Sequence, residues 1–372
     1  MSKITEAWQG LSPNGKRGVV GGGIGVLAVA LIATLVLAGG GDEEAAPSTT
    51  TSSTTTTAAV TTTTEPDTGP VAPLTGLRVE DPALIARPAL AVKIDNLDAP
   101  SESAVPQTGL TNADVVFEEI VEGNITRLVG IFHSKPVGQV GPVRSARTTD
   151  LQILPQLGRP LLAWSGGNEG VTAAVHANPS IVDVGYDRAT SAYHRDSSRR
   201  APHNLYVDAD ALWGFAPEGL PAPTAMFGYR TAGEANNATA ARAQGVDINW
   251  GGGVSAPVSW RWDPNLRLYL RSQRGRPHMD AGNDTQLSAT NVVVLVTEYG
   301  QSPADARSPE AHPVGSGEAF IYTNGTVVHG KWVRPDVNKA ALLVDDEDHI
   351  VKLTPGQTWV ELPRAGNATN VP

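Results

Sequence analysis

No cysteine occurs in the 372 residues of this chain. A disulfide framework, a thiolate nucleophile and a cysteine-ligated zinc are thereby excluded. A basic excess is lacking too: 38 acidic against 28 basic side chains leave a formal net charge of −10. Nucleic-acid binders displace counterions with a cationic face, so no nucleic-acid partner is expected. There is no internal repeat, and Trp164-Ser165-Gly166-Gly167 lacks the G-x-S-x-G elbow of many serine hydrolases. His278 and Asp280 offer N and O ligands, but no third donor follows at a recognisable spacing. A structural hydrogen bond between the two is the expectation, with no metal and no other cofactor.

Charge is missing altogether from residues 19–38, VVGGGIGVLAVALIATLVLA. As a helix this run would be ~30 Å long, the thickness of a bilayer core. Lys3, Lys16 and Arg17 precede it, and Asp42, Glu43 and Glu44 follow. The positive-inside bias leaves residues 1–18 in the cytoplasm and sends everything after residue 39 across the membrane. Val36-Leu37-Ala38 would also suit a signal peptidase, so a cleaved signal peptide is the competing reading. The run is longer than the apolar core of most signal peptides, which favours an uncleaved single-pass anchor. Residues 39–72 are dominated by Thr, Ser, Ala and Pro, too poor in large apolar side chains to repay ordering. They read as a disordered stalk with hydroxyls open to glycosylation.

Beyond the stalk, residues 89–97 (ALAVKIDNL) look like a buried strand ending at Asp95-Asn96. Residues 115–132 read as two strands joined through Gly123-Asn124, and 145–157 and 169–177 as helices. After the Pro-rich 219–225 the pattern changes to strands at 254–264, 266–273, 291–299, 318–334 and 349–353, with a hairpin at Asn324-Gly325. The expected class is α+β: a mixed α/β domain at 73–222, then a mainly β domain at 223–363, tethered by the N-terminal transmembrane helix. Each half is expected to hold its own core. Residues 364–372 are expected to be a flexible tail.

The motifs VKIDN at 92–96, ADVVFEEIVEGNITRLVGIF at 113–132, VGPVRSAR at 140–147 and APHNLY at 201–206 resemble the YerB-like lipoproteins. So do RPHMDAGNDTQLSATNVVV at 276–294, GSGEAFIYTNG at 315–325, GKWVR at 330–334 and TPGQTWVEL at 354–362. The resemblance spans 74–362 and implies a bacterial, membrane-tethered, extracytoplasmic protein built on a two-part domain of unknown function. It implies no activity. Leu37-Ala38-Gly39-Gly40 resembles a lipobox whose cysteine is missing, which favours a transmembrane helix over a lipid anchor.

Arg144 and Arg147 flank Ser145 after Gly141-Pro142, where a helix start would aim free N–H groups at an anion. Three apart, the arginines would share a helix face, and the expectation is that Arg144 pairs internally while Arg147 faces a ligand. Glu118 and Glu122 should share one strand face and Glu119 the other, with Arg127 across the hairpin. Asp95, Asn96, His203 and Asn204 complete the candidate set. His203 is the candidate general base, and Glu119 and Glu122 are candidate acids. Trp250, Trp260, Trp262, Trp332 and Trp359 serve either sugar stacking or a β-domain core. The leading expectation is a non-catalytic cell-envelope module binding an anionic wall polymer or a partner protein. The alternative is a hydrolase or transferase acting on an envelope glycan or phosphodiester.

Overall fold

The runs LAVKID, VVFEEI and TRLVGIF are rich in β-branched and aromatic residues and almost free of a polar face, so as strands they need cover on both sides. The computed structural model describes residues 69–372, which form one unit. The expected cytoplasmic segment, the anchor at 19–38 and most of the stalk lie outside the described residues. Among those described, no helix is long and apolar enough to cross a membrane. Ala72, counted above with the stalk, is already fully buried.

The main sheet has 11 strands. In chain order they are β1 (Leu90–Asp95), β2 (Val115–Ile120), β3 (Thr126–Phe132), β4 (Leu161–Ala163), β5 (Val182–Asp183) and β6 (Ala241–Arg242). Then come β7 (Asn291–Leu295), β8 (Gly315–Thr323), β9 (Thr326–Arg334), β10 (Leu342–Asp345) and β11 (Thr358–Glu361). Their spatial order is β6-β9-β8-β7-β11-β2-β3-β1-β4-β5, with β10 on β9. Strand β11 pairs in parallel with β7 on one side and β2 on the other. A single sheet therefore runs through both halves of the chain, and the expectation of one core per half does not hold. The reason is local: all four residues of β11 are buried, and both its edges need a partner.

One face of this sheet shares a core with a smaller sheet. There Val92, Ile94, Val116 and Leu128 join Val246, Trp250, Trp260 and Tyr269. The smaller sheet contains Gly245–Ile248, Val258–Asp263 and Leu268–Gln273. Its edge strand is Ala368–Val371, antiparallel to Gly245–Ile248. The end of the chain, expected as a flexible tail, is thus a strand, because Gly245–Ile248 would otherwise present unpaired N–H and C=O groups. The other face packs Ala91, Phe117, Val129 and Ile131 with Ile153, Leu157, Val171 and Val175. These last four come from α1 (Thr148–Ile153), its 3-10 continuation Leu154–Leu157, and α2 (Glu169–Ala177). Trp250, Trp260, Trp332 and Trp359 are buried, so these four fill the core and leave no face for a sugar.

The β2–β3 connection passes through Gly123 at φ 67 and Asn124 at φ 59, a conformation these two residue types accept most readily. Asn324 and Gly325, at φ 52 and 71, make the two-residue turn between β8 and β9. The expected strand at 349–353 reduces to isolated bridges at Ile350 and Leu353. The helix expected from 145 starts only at Thr148. Residues 142–144 instead lie extended along the end of β1: Arg144 N–H donates to Lys93 O at 2.9 Å, and Asp95 N–H to Pro142 O at 2.9 Å. Arg147, at φ −136 and ψ 160, is the helix N-cap.

Candidate functional site

Cross-strand register places Asp95 at the end of β1 directly opposite Arg127 on β3. The extended segment 142–147 then lays Arg144, Ser145 and Arg147 beside them. Arg127 Nη1 donates to Ser145 O at 2.9 Å. Arg144 Nε lies 2.8 Å from Asp95 Oδ2, but its N–H is not aimed at that oxygen, so the contact is an ion pair without a hydrogen bond. Arg147 Nη2 sits 2.6 Å from Glu122 Oε1 and donates to Glu122 Oε2 at 2.7 Å. Glu122 also accepts from Ser308 Oγ and lies 3.9 Å from Arg127.

Three guanidiniums in one place perturb one another. Burial, then the positive charge of Arg147, brings Arg127 down to about 10, with Arg144 acting in the same direction and Asp95 and Glu122 opposing. For Glu122, burial pushes upward, but the bond and charge from Arg147, the Ser308 hydroxyl and Arg127 prevail and hold it at about 2. Asp95 is likewise held below the ordinary range: burial opposes, while His203, Arg127 and Arg144 outweigh it.

His203 is covered by its neighbours, and both ring nitrogens are taken. Nδ1 lies 2.7 Å from Asp95 Oδ2, and Nε2 lies 2.9 Å from Glu102 Oε1. These two carboxylates, Asp95 foremost, raise its pKa against the smaller opposing effect of burial. An imidazolium bonded on both sides has no lone pair to accept a proton, so the general-base role fails on geometry.

The exposure of the two arginines is the reverse of the expectation. Arg147 shows 10% of its side chain and is engaged with Glu122, whereas Arg144 shows 28%. Among the described residues, neither Nη of Arg144 nor the Ser145 hydroxyl has a partner. The N-terminal N–H groups invoked for Ser145 do not contribute, because the helix begins three residues later and has six residues.

The other candidates divide. Glu119 is fully buried against Lys93, which also donates to Asp150 Oδ1 at 2.7 Å. Burial first, then Asp150, pushes Glu119 up to about 7 against the pull of Lys93. That is a value suited to proton transfer, but no surface of this carboxyl can meet a substrate. Glu118 points to the opposite face, where Arg271 Nη2 donates to it at 2.8 Å. Glu118 and Glu122 do not share a face, because β2 ends at Ile120 and Glu122 opens the turn beyond it. Asn96 belongs with Glu118: its Nδ2 donates to Glu118 Oε1 at 3.1 Å and to Thr126 Oγ1 at 2.8 Å. Asn204 accepts from Arg195 Nη1 at 2.8 Å and takes no part in the arginine cluster.

His278 and Asp280 share no hydrogen bond, contrary to expectation. His278 accepts from Arg271 Nε at 2.9 Å and lies 2.6 Å from Gln107 Oε1. Asp280 accepts from Gly109 and Thr111 N–H groups. Burial, then Arg271, drives His278 well below the ordinary histidine range, so it is neutral. Among the described residues no cluster of three His, Asp or Glu side chains could hold a metal.

Sequence reasoning passed over Lys93, Glu102, Asp150 and Ser308. Lys93 had a signal: it is the lone cation in a buried run whose other residues before Asp95 are apolar, and such a charge is almost never buried unless paired. Ser308 and Glu102 had none, since nothing local ties them to the arginines.

Residues 74–220 match the N-terminal domain, and residues 246–360 the C-terminal domain, of the family described as protein of unknown function DUF3048. YerB of Bacillus subtilis (strain 168), named as a lipoprotein, is 27% identical over 300 residues, covering 78% of this chain and 85% of YerB. The crystal structure of YerB from Bacillus subtilis superimposes with a TM-score of 0.70 at 25% identity, covering 81% of this chain and 99% of that one.

Proposed function

This chain belongs to the DUF3048 family of YerB-like proteins, and from that premise we propose that it is a membrane-anchored, extracytoplasmic binding module for an anionic cell-wall polymer or the acidic face of an envelope protein. The relative named as a lipoprotein supports the envelope location, and residues 19–38 supply the tether in place of the absent lipobox cysteine.

One observation carries the binding reading. Arg144 presents a partly exposed guanidinium whose Nη groups, like the neighbouring Ser145 hydroxyl, have no partner among the described residues, and it lies near two further arginines. Asp95 and Glu122 neutralise only two of the three guanidinium charges in direct contact. A bidentate carboxylate or phosphate on Arg144 takes up the remainder. No observation lends comparable support to the hydrolase or transferase reading. His203 is bonded on both sides, and Glu119 is sealed in the core.

The test is co-sedimentation of the full-length chain, in detergent, with purified anionic cell walls. A charge-assisted hydrogen bond contributes about 1.5–3 kcal/mol, so Arg144→Gln should weaken binding at least tenfold and flatten its salt dependence. Unchanged binding by the variant, or none by the parent, would refute the reading.

A further inference from the structure

A second concave site has none of the three clustered arginines in its lining. It is a cavity of about 660 Å³ walled by residues 98–106 of the first family segment and 273–279 of the second. Pockets of roughly 300–1,000 Å³ hold small molecules. Its apolar wall is made by Ala99, Pro100, Val105, Pro106, Pro277 and Met279. Proline, alanine and valine have little rotamer freedom to lose, so this surface is formed before any ligand arrives.

The polar groups are few and unbalanced. Asp98, 5% exposed at its side chain, faces two guanidiniums: Arg276 Nη2 at 3.2 Å and Arg274 Nε at 3.7 Å. Arg274 also donates to the Val254 and Ser255 carbonyls at 2.9 and 3.2 Å, which holds it in place. Arg276 makes no other side-chain bond among the described residues and is 68% exposed. One positive charge is therefore left over. Gln273 lines the cavity at 2% exposure. Its Oε1 accepts from Arg271 and Asn96 at 3.0 and 3.3 Å, which sets the amide orientation and leaves Nε2 without a partner among the described residues. That N–H lies beneath the wall with almost no surface of its own, so Gln273 shapes the cavity and does not reach into it. The remaining polar groups that line the cavity are Ser103, which bonds to its own loop, and the neutral His278.

We propose that this cavity binds a short apolar peptide through its terminal carboxylate: Arg276 takes the carboxylate and the proline-rich wall takes small aliphatic side chains. The site uses Arg276, where the one proposed above uses Arg144. It exists only because the two family segments share one folded unit.

Calorimetric titration of the full-length chain with N-acetyl-Ala-Ala tests it. The free acid should bind at least tenfold more tightly than its C-terminal amide, and Arg276→Gln should abolish that preference. Because Arg276 is exposed, this variant keeps the fold. Arg261→Gln, at the exposed Asp247 pair, is the charge-matched control and should bind as the parent does. Filling the wall with Ala99→Trp should remove binding of both acid and amide. Equal affinity for acid and amide, an unaffected Arg276→Gln, or tighter binding of N-acetylglucosamine than of the dipeptide would each overturn the proposal.

Discussion

Replacing Arg147 and Arg144 one at a time by glutamine separates the two parts played by the arginine cluster. Arg147 holds Glu122 at about 2 against an ordinary value of 4.5. That gap is equivalent to roughly 3 kcal/mol at ~1.4 kcal/mol per pH unit. Arg127 and the Ser308 hydroxyl share the carboxylate, and its side chain is 32% exposed. Solvent screening and the surviving partners therefore reduce the expected loss for Arg147→Gln to about 2 kcal/mol. With ~2.1 cal/mol/K of unfolding entropy per residue over about 300 residues, this corresponds to a fall in melting temperature of about 3 °C. Arg144→Gln breaks an ion pair that lacks a hydrogen bond, at a cost of about 0–1 kcal/mol and less than about 2 °C.

Differential scanning calorimetry at pH 7 reads both variants. The depressed acid adds a second signature. Its contribution is present above 4.5 and disappears as the pH falls from there toward about 2, so the gap between parent and Arg147→Gln should close over that window. A larger loss from Arg144→Gln than from Arg147→Gln, or a gap that persists at pH 2, would show that Glu122 is not what Arg147 stabilises.

Two further outcomes follow from buried and covered charges. Lys93→Met strands Glu119 and Asp150 in the core, and denaturant titration at pH 8 should show a loss of about 3–5 kcal/mol, partly recovered by adding Glu119→Gln; a stable single variant would contradict the pairing. His203 has a raised pKa, so its contribution is complete below the ordinary value of 6.5 and is lost as the pH rises through the raised one. The melting-temperature gap between the parent and His203→Gln should thus be wide at pH 5.5 and narrow at pH 9, and an equal gap at both would mean that the ring is not an imidazolium in the fold.

Residue pattern alone was enough for the elements whose cause is local. β-branched runs bounded by Gly123-Asn124 and Asn324-Gly325 gave the two hairpins, since the left-handed turn conformation restricts which residues can occupy it. The series of motifs that marks the family is equally local. Local reasoning failed where a distant segment overrode it. Residues 145–147 look helical, yet their neighbours at 142–144 are claimed by the backbone of β1, which postpones the helix to Thr148. The last residues look disordered until Gly245–Ile248 offers them an edge.

The candidate site divides along the same line. That Arg144, Ser145 and Arg147 lie together is written in the chain, and so is the proximity of Asp95 to Asn96. That Asp95 meets Arg144 while Asn96 turns to Glu118 was decided by strand alternation in a sheet whose faces bury different partners. Glu118 finds its guanidinium 153 residues away, on a strand of the smaller sheet. Sequence spacing carries information over a few residues of helix or strand. Which arginine is sealed and which is left facing solvent depends on contacts summed over the whole fold, and those exist only once β11 has joined the two halves into one sheet.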